Sequence, residues 1–552
     1  MTALSAEFNR SSEAKKAASG KCAFTKVKSK SSGTGADALT GGWVNEEADG
    51  PKPTIWSPAS SAWGGVVNQR LADAGQTATV PTNAQPFMLT PLVIAMPRPM
   101  AEAIGYPAKP FGFGDLIALS QDPKGWGGLG HPEWGPFKLG KTSPKFSTSA
   151  LSATIAQDYT AVNKTQGLTL EDVNRPDVAE FNKKIESSVV HYGDTTLTFL
   201  NNWYRNDQRG TALTYVSAVA VEEKSVIDYN RGNPDGVLEQ GEKPRPPKVP
   251  LVAIYPKDGT LFSDNPLFIL NAPWVTPAQK EGAKAFQTFV QQPDKQKRVL
   301  EFGFRPANPA VPVGDPIIAA NGVDAGQPAT TLGVPDPPVL ATVVKKWEEQ
   351  RKGAQVLLVI DVSGSMGEPV KDTDGQTRLD LAKGAAIKAL DQFGPNDLVG
   401  LRIFSTGINP QPPGDYVDLV PISPITESRE AIKTKIRALI PTRGTPLYTT
   451  ATDSYKLLQT TFKPNLINAV VLLTDGRNED DRNTDIQPTL GILSAGREGA
   501  VDKPVRLFTI GFGDDADLGA LTRMSEATDA KAYNSKNAAA IDSIFTSVIS
   551  NF

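Results

Sequence analysis

A group of short oxygen-bearing side chains follows an apolar segment near residue 361. The segment VLLVID ends at Asp361, and Ser363 and Ser365 follow with Gly364 between them. A turn leaving a strand here can aim one carboxylate and two hydroxyls at a single point, because Gly364 lets the backbone bend tightly. Carboxylate and hydroxyl oxygens are hard donors, which suit Mg²⁺ or Mn²⁺ better than softer metals. The spacing therefore predicts part of a divalent metal site.

Two further oxygen donors extend this set. Asp475 ends the apolar segment AVVLLTD, and Thr445 stands just before a helical pattern that begins at Leu447. Ligands of doubly wound sheets lie at the carboxyl ends of the strands, so Asp361 and Asp475 are expected at one edge. Mg²⁺ commonly keeps waters that a ligand oxygen can replace, which indicates recognition through the metal. The alternative is that Asp361, Ser363 and Ser365 form an ordinary helix cap.

The surrounding segments predict the elements that would position these donors. Four apolar runs have the character of buried central strands: VLLVID, LVGLRIF, AVVLLTD and VRLFTIGFG. Between and after them, apolar residues recur at three- and four-residue steps, as on buried helix faces. These stripes are Leu379, Ala382, Ala386, Leu390 and Phe393; Leu447, Ala451, Tyr455, Leu458 and Phe462; and Ile541, Ile544, Phe545, Val548 and Phe552. The pattern predicts an α/β fold with helices on both faces of a parallel sheet.

The order of these motifs matches a known family. The D-x-S-G-S motif at Asp361, the distant Thr445 and the turn Thr474-Asp475-Gly476 resemble the metal-ion-dependent adhesion site (MIDAS) of von Willebrand factor A (VWA) domains. The resemblance covers residues 341–552 and implies a doubly wound, Rossmann-like domain. It implies that the serines and the threonine contact the metal and that the aspartates act directly or through water. An exposed Asp or Glu of a partner protein would complete the shell.

The chain before residue 340 has long Pro/Gly-rich stretches between apolar segments. Its segments TIWSPASSAWGGVVNQR, PLVIAMPRPMAEAIG, HPEWGPFKLGKTSPKFSTSALSA and LVAIYPKDGTLFSDNPLFIL together resemble bacterial extracellular solute-binding proteins. The resemblance covers residues 1–340 and implies a periplasmic-binding-protein-like module. Its two α/β lobes would close on a small solute in the cleft between them. A Pro-rich stretch, 306–338, forms the end of this module.

Two hydroxyl clusters are candidate contacts for the solute. They are Ser57, Ser60 and Ser61, and Ser147, Thr148 and Ser149. Each cluster precedes an apolar helical pattern, so it can present a helix N-terminus to an anionic or polar solute. Simple N-capping explains the same residues equally well. The identity of the solute does not follow from the sequence.

Composition excludes several classes of function. The formal net charge is -3 and no long Lys/Arg block is present, so nucleic acid is a poor partner. Cys22 is the single cysteine, and His131 and His191 are the two histidines. The chain therefore has few residues from which a zinc site or a histidine-dependent catalytic triad could be formed.

The segment from Gly135 to Thr142 satisfies the P-loop pattern G-x-x-x-x-G-K-T. A phosphate-binding loop leaves a buried strand and opens directly into a helix, whereas HPEWG precedes this segment and SPKF follows it. The context contradicts the motif. We therefore predict no nucleotide binding.

The start of the chain bears on where the protein acts. The residues MTALSAEFNRS resemble the first helix of a solute-binding lobe rather than the strand that precedes it. We therefore expect an initial strand, together with a signal or membrane anchor, before Met1. This places the protein outside the cell or at the cell surface, with membrane contact only through an anchor absent from this chain.

Together these features predict a non-enzymatic, extracellular bacterial binding protein. Its VWA domain would bind a divalent metal and, through it, an acidic group of a protein partner, as in cell adhesion. Its first module would bind a small solute. One alternative is a solute receptor of an ABC-type importer with an accessory VWA domain. The other is a metal-dependent hydrolase, since the oxygen ligands could activate water, although no neighbouring base is evident.

Overall fold

A computed structural model gives the structure of the chain, which divides into two compact units. The first comprises residues 1–188 and 193–350, and the second comprises 189–192 and 351–552. The residues that the structure describes are 1–17, 21–83, 85–237, 241–371, 373–411, 414–499, 503–535 and 541–552. Within these ranges, no helix combines the length and the apolar character needed to span a membrane.

The first unit is built around one long strand, and four other strands pair with it in the antiparallel direction. Its strands are β1 (Ile55–Trp56), β2 (Met88–Pro97), β3 (Leu139–Thr142), β5 (Ala218–Glu222), β6 (Leu251–Ile254), β7 (Phe262–Ser263), β8 (Phe268–Ile269) and β9 (Arg305–Pro306). Strand β4 is Val189–Gly193, of which 189–192 belong to the second unit. Strand β2 pairs antiparallel with β5, β6, β7 and β9, and β3 lies parallel to β5. Strands β1 and β8 form a separate antiparallel pair.

Within the described residues of this unit, sixteen helices accompany these strands. They are α1 (Thr2–Arg10), α2 (Ser12–Lys15), α3 (Ser32–Thr40), α4 (Glu46–Asp49), α5 (Ala62–Asp73), α6 (Arg98–Ala103), α7 (Phe113–Gln121), α8 (Thr148–Val162), α9 (Leu170–Val173), α10 (Pro176–Ser187), α11 (Thr196–Arg209), α12 (Ala212–Tyr215), α13 (Glu223–Asn230), α14 (Pro277–Val290), α15 (Pro293–Glu301) and α16 (Pro337–Gln350). Short 3-10 turns occur at Gly125–Leu129, Pro132–Trp134 and Ala319–Asn321. The unit is thus a mixed α/β structure.

The P-loop-like segment lies inside this unit. Its residues 139–142 form strand β3, and Lys141 is 1% exposed. The lysine ammonium forms an ion pair with Glu186 and donates to Gln157 Oε1 at 3.2 Å. A phosphate-binding lysine must reach a ligand from a loop, whereas this one is engaged by its own fold.

The second unit contains one six-stranded sheet. Its strands are β10 (Ala354–Asp361), β11 (Leu398–Phe404), β12 (Tyr416–Pro424), β13 (Ile467–Thr474), β14 (Arg506–Phe512) and β15 (Ala532–Ser535). Their order is β12-β11-β10-β13-β14-β15, and every pair is parallel except β11 with β12. The four apolar runs of the sequence form the four central strands, as predicted. Strand β12 was not predicted, because its half-exposed residues lack a continuous apolar run.

Helices cover both faces of this sheet. They are α17 (Arg378–Leu390), α18 (Ile425–Arg437), α19 (Leu447–Thr460), α20 (Ile486–Ala495), α21 (Leu518–Ala527) and α22 (Ile541–Ile549), with a 3-10 turn at Gly364–Gly367. Helix α17 packs with α18 and α22, and α20 packs with α19 and α21. The three helical stripes of the sequence lie on α17, α19 and α22, except that Phe393, Phe462 and Phe552 follow the ends of these helices. The α/β prediction with a doubly wound second domain is confirmed.

Candidate metal centre

The two candidate carboxylates lie at one edge of the second sheet. Asp361 is the last residue of β10, and Asp475 directly follows β13. These strands are parallel neighbours, with Ile360 opposite Leu473, so their carboxyl ends meet at the same edge. Both side chains are fully buried. The fold therefore gathers two carboxylates that are distant in sequence.

Both oxygens of Asp361 are fixed by hydrogen bonds. Its Oδ1 accepts the backbone N–H of Ser363 at 2.7 Å, and its Oδ2 accepts the hydroxyl of Thr474 at 2.5 Å. The first bond turns the chain as it leaves β10, and the second joins β10 to β13. These two bonds fix the orientation of the Asp361 carboxylate.

Asp475 is held by two donors of different charge. Its Oδ1 accepts the Ser365 hydroxyl at 2.8 Å, and its Oδ2 accepts Arg378 Nη1 at 2.8 Å. The hydroxyl oxygens of Ser363 and Ser365 lie 3.1 Å apart. Both serines and the second aspartate are consequently in mutual contact.

Thr445 lies on the neighbouring loop. A Cβ atom added to Gly476 would lie 3.1 Å from Thr445 Oγ1, so the threonine hydroxyl sits directly beside the residue after Asp475. The backbone of the same loop follows the serine loop, with Gly364 N–H donating to Arg443 O at 2.6 Å. Thr445 therefore lies beside the turn that carries Asp475, at the same edge of the sheet.

The electrostatics of the cluster favour a cation. Burial, with a smaller effect from the nearby Asp475 carboxylate, raises the pKa of Asp361 to about 7, against the bonds from Thr474 and Ser363. Burial also raises the pKa of Asp475, opposed by Arg378 and Ser365. Two buried carboxylates in one cluster repel each other, and a divalent cation between them would relieve that repulsion.

The donor set fits a hard cation with an open coordination position. Among the described residues, no group of three or more His, Cys, Asp and Glu side chains is arranged to hold a metal. Two carboxylates with three hydroxyls instead match Mg²⁺ or Mn²⁺, which tolerate neutral oxygen ligands and water. Gly364 is exposed and Ser365 is half-buried, so the cluster reaches solvent at the serine loop.

The sequence did not point to two residues that shape this cluster. The sequence indicates only that Thr474 is part of the turn before Asp475. In the structure its hydroxyl donates a hydrogen bond to Asp361. Arg378 begins α17 and has no motif of its own, yet it contacts Asp475. The position of Thr474 directly before Asp475 was the only available signal. The contact of Arg378 depends on the fold.

The first hydroxyl cluster precedes α5, as predicted, whereas in the second cluster only Ser147 precedes α8 and Thr148 and Ser149 are the first residues of that helix. Neither Ser61 nor Ser147, the two N-cap residues, makes a side-chain cap bond. Ser147 Oγ accepts from Thr142 Oγ1 at 2.7 Å, and Ser149 Oγ lies 2.6 Å from Thr196 Oγ1. Ser147 and Ser149 of the second cluster therefore form hydrogen bonds with other hydroxyl groups of the same chain.

The first cluster is arranged differently. Ser57 follows β1 and is half-buried, and Ser60 Oγ accepts the N–H of Ala62 at 3.3 Å. The N–H of Ser61 donates to Asp264 Oδ1 at 2.6 Å. Burial raises the pKa of that aspartate. The N-terminus of α5 thus already carries a carboxylate from its own chain.

One contact joins the two clusters. Trp63, the second residue of α5, donates from Nε1 to Thr148 Oγ1 at 2.9 Å, and Thr148 Oγ1 lies 3.2 Å from Ser32 Oγ. The Ser32 hydroxyl also accepts the N–H of Ala59 at 3.0 Å. The N-terminal ends of α3, α5 and α8 therefore meet.

Comparison with protein families agrees with both resemblances. Residues 1–305 match the model described as bacterial extracellular solute-binding protein, which is more than half of the 552 residues. Residues 355–547 match the model described as von Willebrand factor type A domain.

Comparison with individual proteins gives distant relatives. Two curated proteins of Mycobacterium tuberculosis, both described as uncharacterized, are each 21% identical over 520 residues, covering 92% of this chain and 69% of theirs.

Three solved structures each resemble part of this chain. A von Willebrand factor type A structure from Catenulispora acidiphila has 19% identity and a TM-score of 0.30, covering 36% of this chain and 42% of that one. Proximal thread matrix protein 1 from the mussel byssus, with a zinc-occupied MIDAS motif, has 16% identity and a TM-score of 0.27, covering 39% and 52%. The pilus adhesin SpaC from Lactobacillus rhamnosus GG has 18% identity and a TM-score of 0.29, covering 36% and 30%. The chain thus spans about two fifths of the Catenulispora chain. The chain belongs to the bacterial extracellular solute-binding protein family and carries a VWA domain after its solute-binding module.

Proposed function

We propose that the VWA domain binds one Mg²⁺ or Mn²⁺ through Asp361, Ser363, Ser365, Thr445 and Asp475, and through it a carboxylate of a partner protein. The observation that carries this proposal is the convergence of Ser363, Ser365 and Asp475 in direct hydrogen-bond contact. Hydroxyls that lie within hydrogen-bond distance of a carboxylate are close enough to share one cation with it. The metal would supply an open position for an oxygen ligand.

The metal site is proposed to serve adhesion rather than catalysis. The protein would act outside the cell or at its surface, in keeping with the extracellular solute-binding family. The carboxylate of Glu479 accepts the N–H of Thr445 at 3.2 Å and thereby supports the Thr445 loop. A hydrolase would need a base that is free to take a proton from water. Detectable Mg²⁺-dependent turnover that is lost in Asp361→Ala would favour the hydrolase alternative.

The first module is proposed to bind a small polar solute near the meeting point of α3, α5 and α8. The side chain of Asp264 already receives the Ser61 N–H, which favours a neutral or cationic group at that end over an anion. Native mass spectrometry of gently purified protein would detect a retained solute. If the protein instead serves an importer, removal of the VWA domain would leave importer association intact.

The central experiment measures metal and carboxylate binding together. Calorimetry with Mn²⁺ tests the metal site, and retention on immobilised polyglutamate, compared with polyglutamine, tests the carboxylate. The wild-type chain is expected to bind Mn²⁺ and to be retained on polyglutamate in Mg²⁺ but not in EDTA. Asp361→Ala should lose both properties. Asp391→Ala, which removes an exposed aspartate, is the matched control and should keep both. Equal retention of the Asp361→Ala variant would contradict the proposal.

A further inference from the structure

We propose that Arg378 is an internal counter-ion of the metal site. It weakens cation binding in the empty site, and it leaves the metal-loaded site with a positive charge that attracts a carboxylate. This inference rests on the proposed metal function, and it assigns a specificity-determining role to a residue outside the five-donor motif.

The guanidinium group is held by three carboxylates. Arg378 Nη1 lies 2.8 Å from Asp475 Oδ2, and Nη2 lies 2.7 Å from Asp515 Oδ2 and 3.0 Å from Glu368 Oε2. The arginine side chain is 14% exposed. Its position at the start of α17 is also fixed by its backbone, which donates to Glu368 O at 3.0 Å. The charge is therefore kept at the cluster.

The three contacts differ in their exposure to solvent. The Asp475 side chain is 0% exposed, whereas those of Glu368 and Asp515 are 58% and 67% exposed. Solvent screens the two outer pairs strongly and the inner pair weakly. Electrostatically, Arg378 is thus mainly the partner of a proposed metal ligand.

The net charge of the site follows from the two aspartates and Arg378. When both buried aspartates are ionised they contribute -2 and Arg378 contributes +1, so these three groups together carry a charge of -1 before a cation binds. A divalent cation would change this to +1, and one carboxylate from outside would neutralise it. Without Arg378, the cation alone would neutralise the cluster. Arg378 therefore opposes the metal and favours the acidic partner.

The test compares two pairs of charge-removing variants by Mn²⁺ calorimetry at fixed pH and ionic strength. Arg378→Gln should bind Mn²⁺ more tightly, on the order of tenfold, because a repulsive charge is removed. Arg443→Gln removes an exposed arginine of the neighbouring loop and should change the affinity much less, because solvent screens that charge. Arg378→Lys keeps the charge and should stay closer to the wild type.

The second pair of variants replaces exposed aspartates, and these replacements should leave the protein folded. Asp515→Asn leaves Arg378 with fewer competing carboxylates, so Mn²⁺ affinity should fall about twofold or more. Asp514→Asn, a change of the same charge at the adjacent exposed residue, is the control and should have a smaller effect. Equal effects of these two variants would overturn the role assigned to Arg378.

A third measurement distinguishes the counter-ion role of Arg378 from a role in which the arginine only positions Asp475. Sodium acetate, compared with sodium chloride at equal ionic strength, should tighten Mn²⁺ binding to the wild type more than to Arg378→Gln, since binding linkage is reciprocal. Weaker Mn²⁺ binding by Arg378→Gln would show that the arginine only positions Asp475. Failure of the wild type to bind Mn²⁺ would instead contradict the proposed metal function itself.

Discussion

The hydroxyl of Ser365 donates to Asp475 across 110 residues of sequence, at an oxygen–oxygen distance of 2.8 Å. This bond joins the serine loop after β10 to the turn after β13. It places a hydroxyl and a carboxylate, the two donor types of the proposed metal site, in contact at the carboxyl edge of the sheet.

Replacing Ser365 with Ala should weaken Mn²⁺ binding on the order of tenfold or more, because it removes a proposed ligand and a bond that orients Asp475. The free energy of unfolding should fall by only about 1 kcal/mol, since the bond is partly exposed. Calorimetry and thermal unfolding in EDTA measure the two effects. Ser423→Ala removes an exposed hydroxyl contact and should leave Mn²⁺ affinity as in the wild type.

The ion pair of Arg351 with Asp397 should dominate the local stability of the second unit. Asp397 is fully buried and also accepts the N–H of Ala354 at 2.8 Å. Asp397→Ala leaves a buried guanidinium without this carboxylate and should lower the free energy of unfolding by about 3 to 5 kcal/mol. The exposed Asp391→Ala serves as control. A loss in Asp397→Ala no larger than in this control would refute the prediction.

Unfolding of the two units can be followed separately. All 8 tryptophans of the chain lie in the first unit. Tryptophan fluorescence therefore reports the first unit, while circular dichroism reports both.

The pH dependence of the first unit should reflect Asp158. Burial raises the pKa of this carboxyl to about 7, against the bond from Asn182 and the charge of Lys141. The folded state then holds a proton that the unfolded state releases near pH 4, so this contribution to stability is complete below pH 4 and is lost as the pH rises through 7. Its upper bound is about 4 kcal/mol.

Asp158→Asn tests that sign. Urea unfolding followed by tryptophan fluorescence should show the variant gaining stability over the wild type between pH 5 and pH 8, with little difference at pH 4. Asp177→Asn, an exposed aspartate of α10, should show no such gain. A difference between the Asp158 variant and the wild type that is constant with pH would rule out the raised pKa.

Lys141 should matter for stability and not for nucleotides. Lys141→Met removes the buried cation that faces Glu186, so the fluorescence-detected unfolding of the first unit should shift to lower urea by the equivalent of about 3 kcal/mol or more. Calorimetry of the wild type with ATP should give no binding heat. Micromolar ATP affinity that disappears in Lys141→Ala would show the P-loop prediction to be wrong.

The second domain was predictable from sequence because its signals are local and strong. The four central strands are continuous apolar runs, and each donor stands at the end of a run or before a helical stripe. Parallel pairing then brings Asp361 and Asp475 together without further information. The contact of Arg378 with Asp475 could not be predicted, since it depends on how α17 packs over the strand ends.

The first unit was predicted less completely for a related reason. Short strands around β2 pair antiparallel over only two to four residues, which leaves little periodicity to detect. The first hydroxyl cluster precedes α5 as predicted, whereas Thr148 and Ser149 of the second cluster lie within the first turn of α8. Their bonds to Thr142, Thr196 and Trp63 come from distant segments, so neither capping nor solute contact could be decided from the sequence.

The backbone bonds between the two donor loops have a mechanical consequence. Gly364 N–H donates to Arg443 O at 2.6 Å, and Thr442 N–H donates to Val362 O at 2.7 Å. Two backbone hydrogen bonds therefore link the serine loop to the Thr445 loop. A force applied by a tethered partner at the metal would be shared between β10 and α19, so the attachment would resist pulling with two anchor points instead of one.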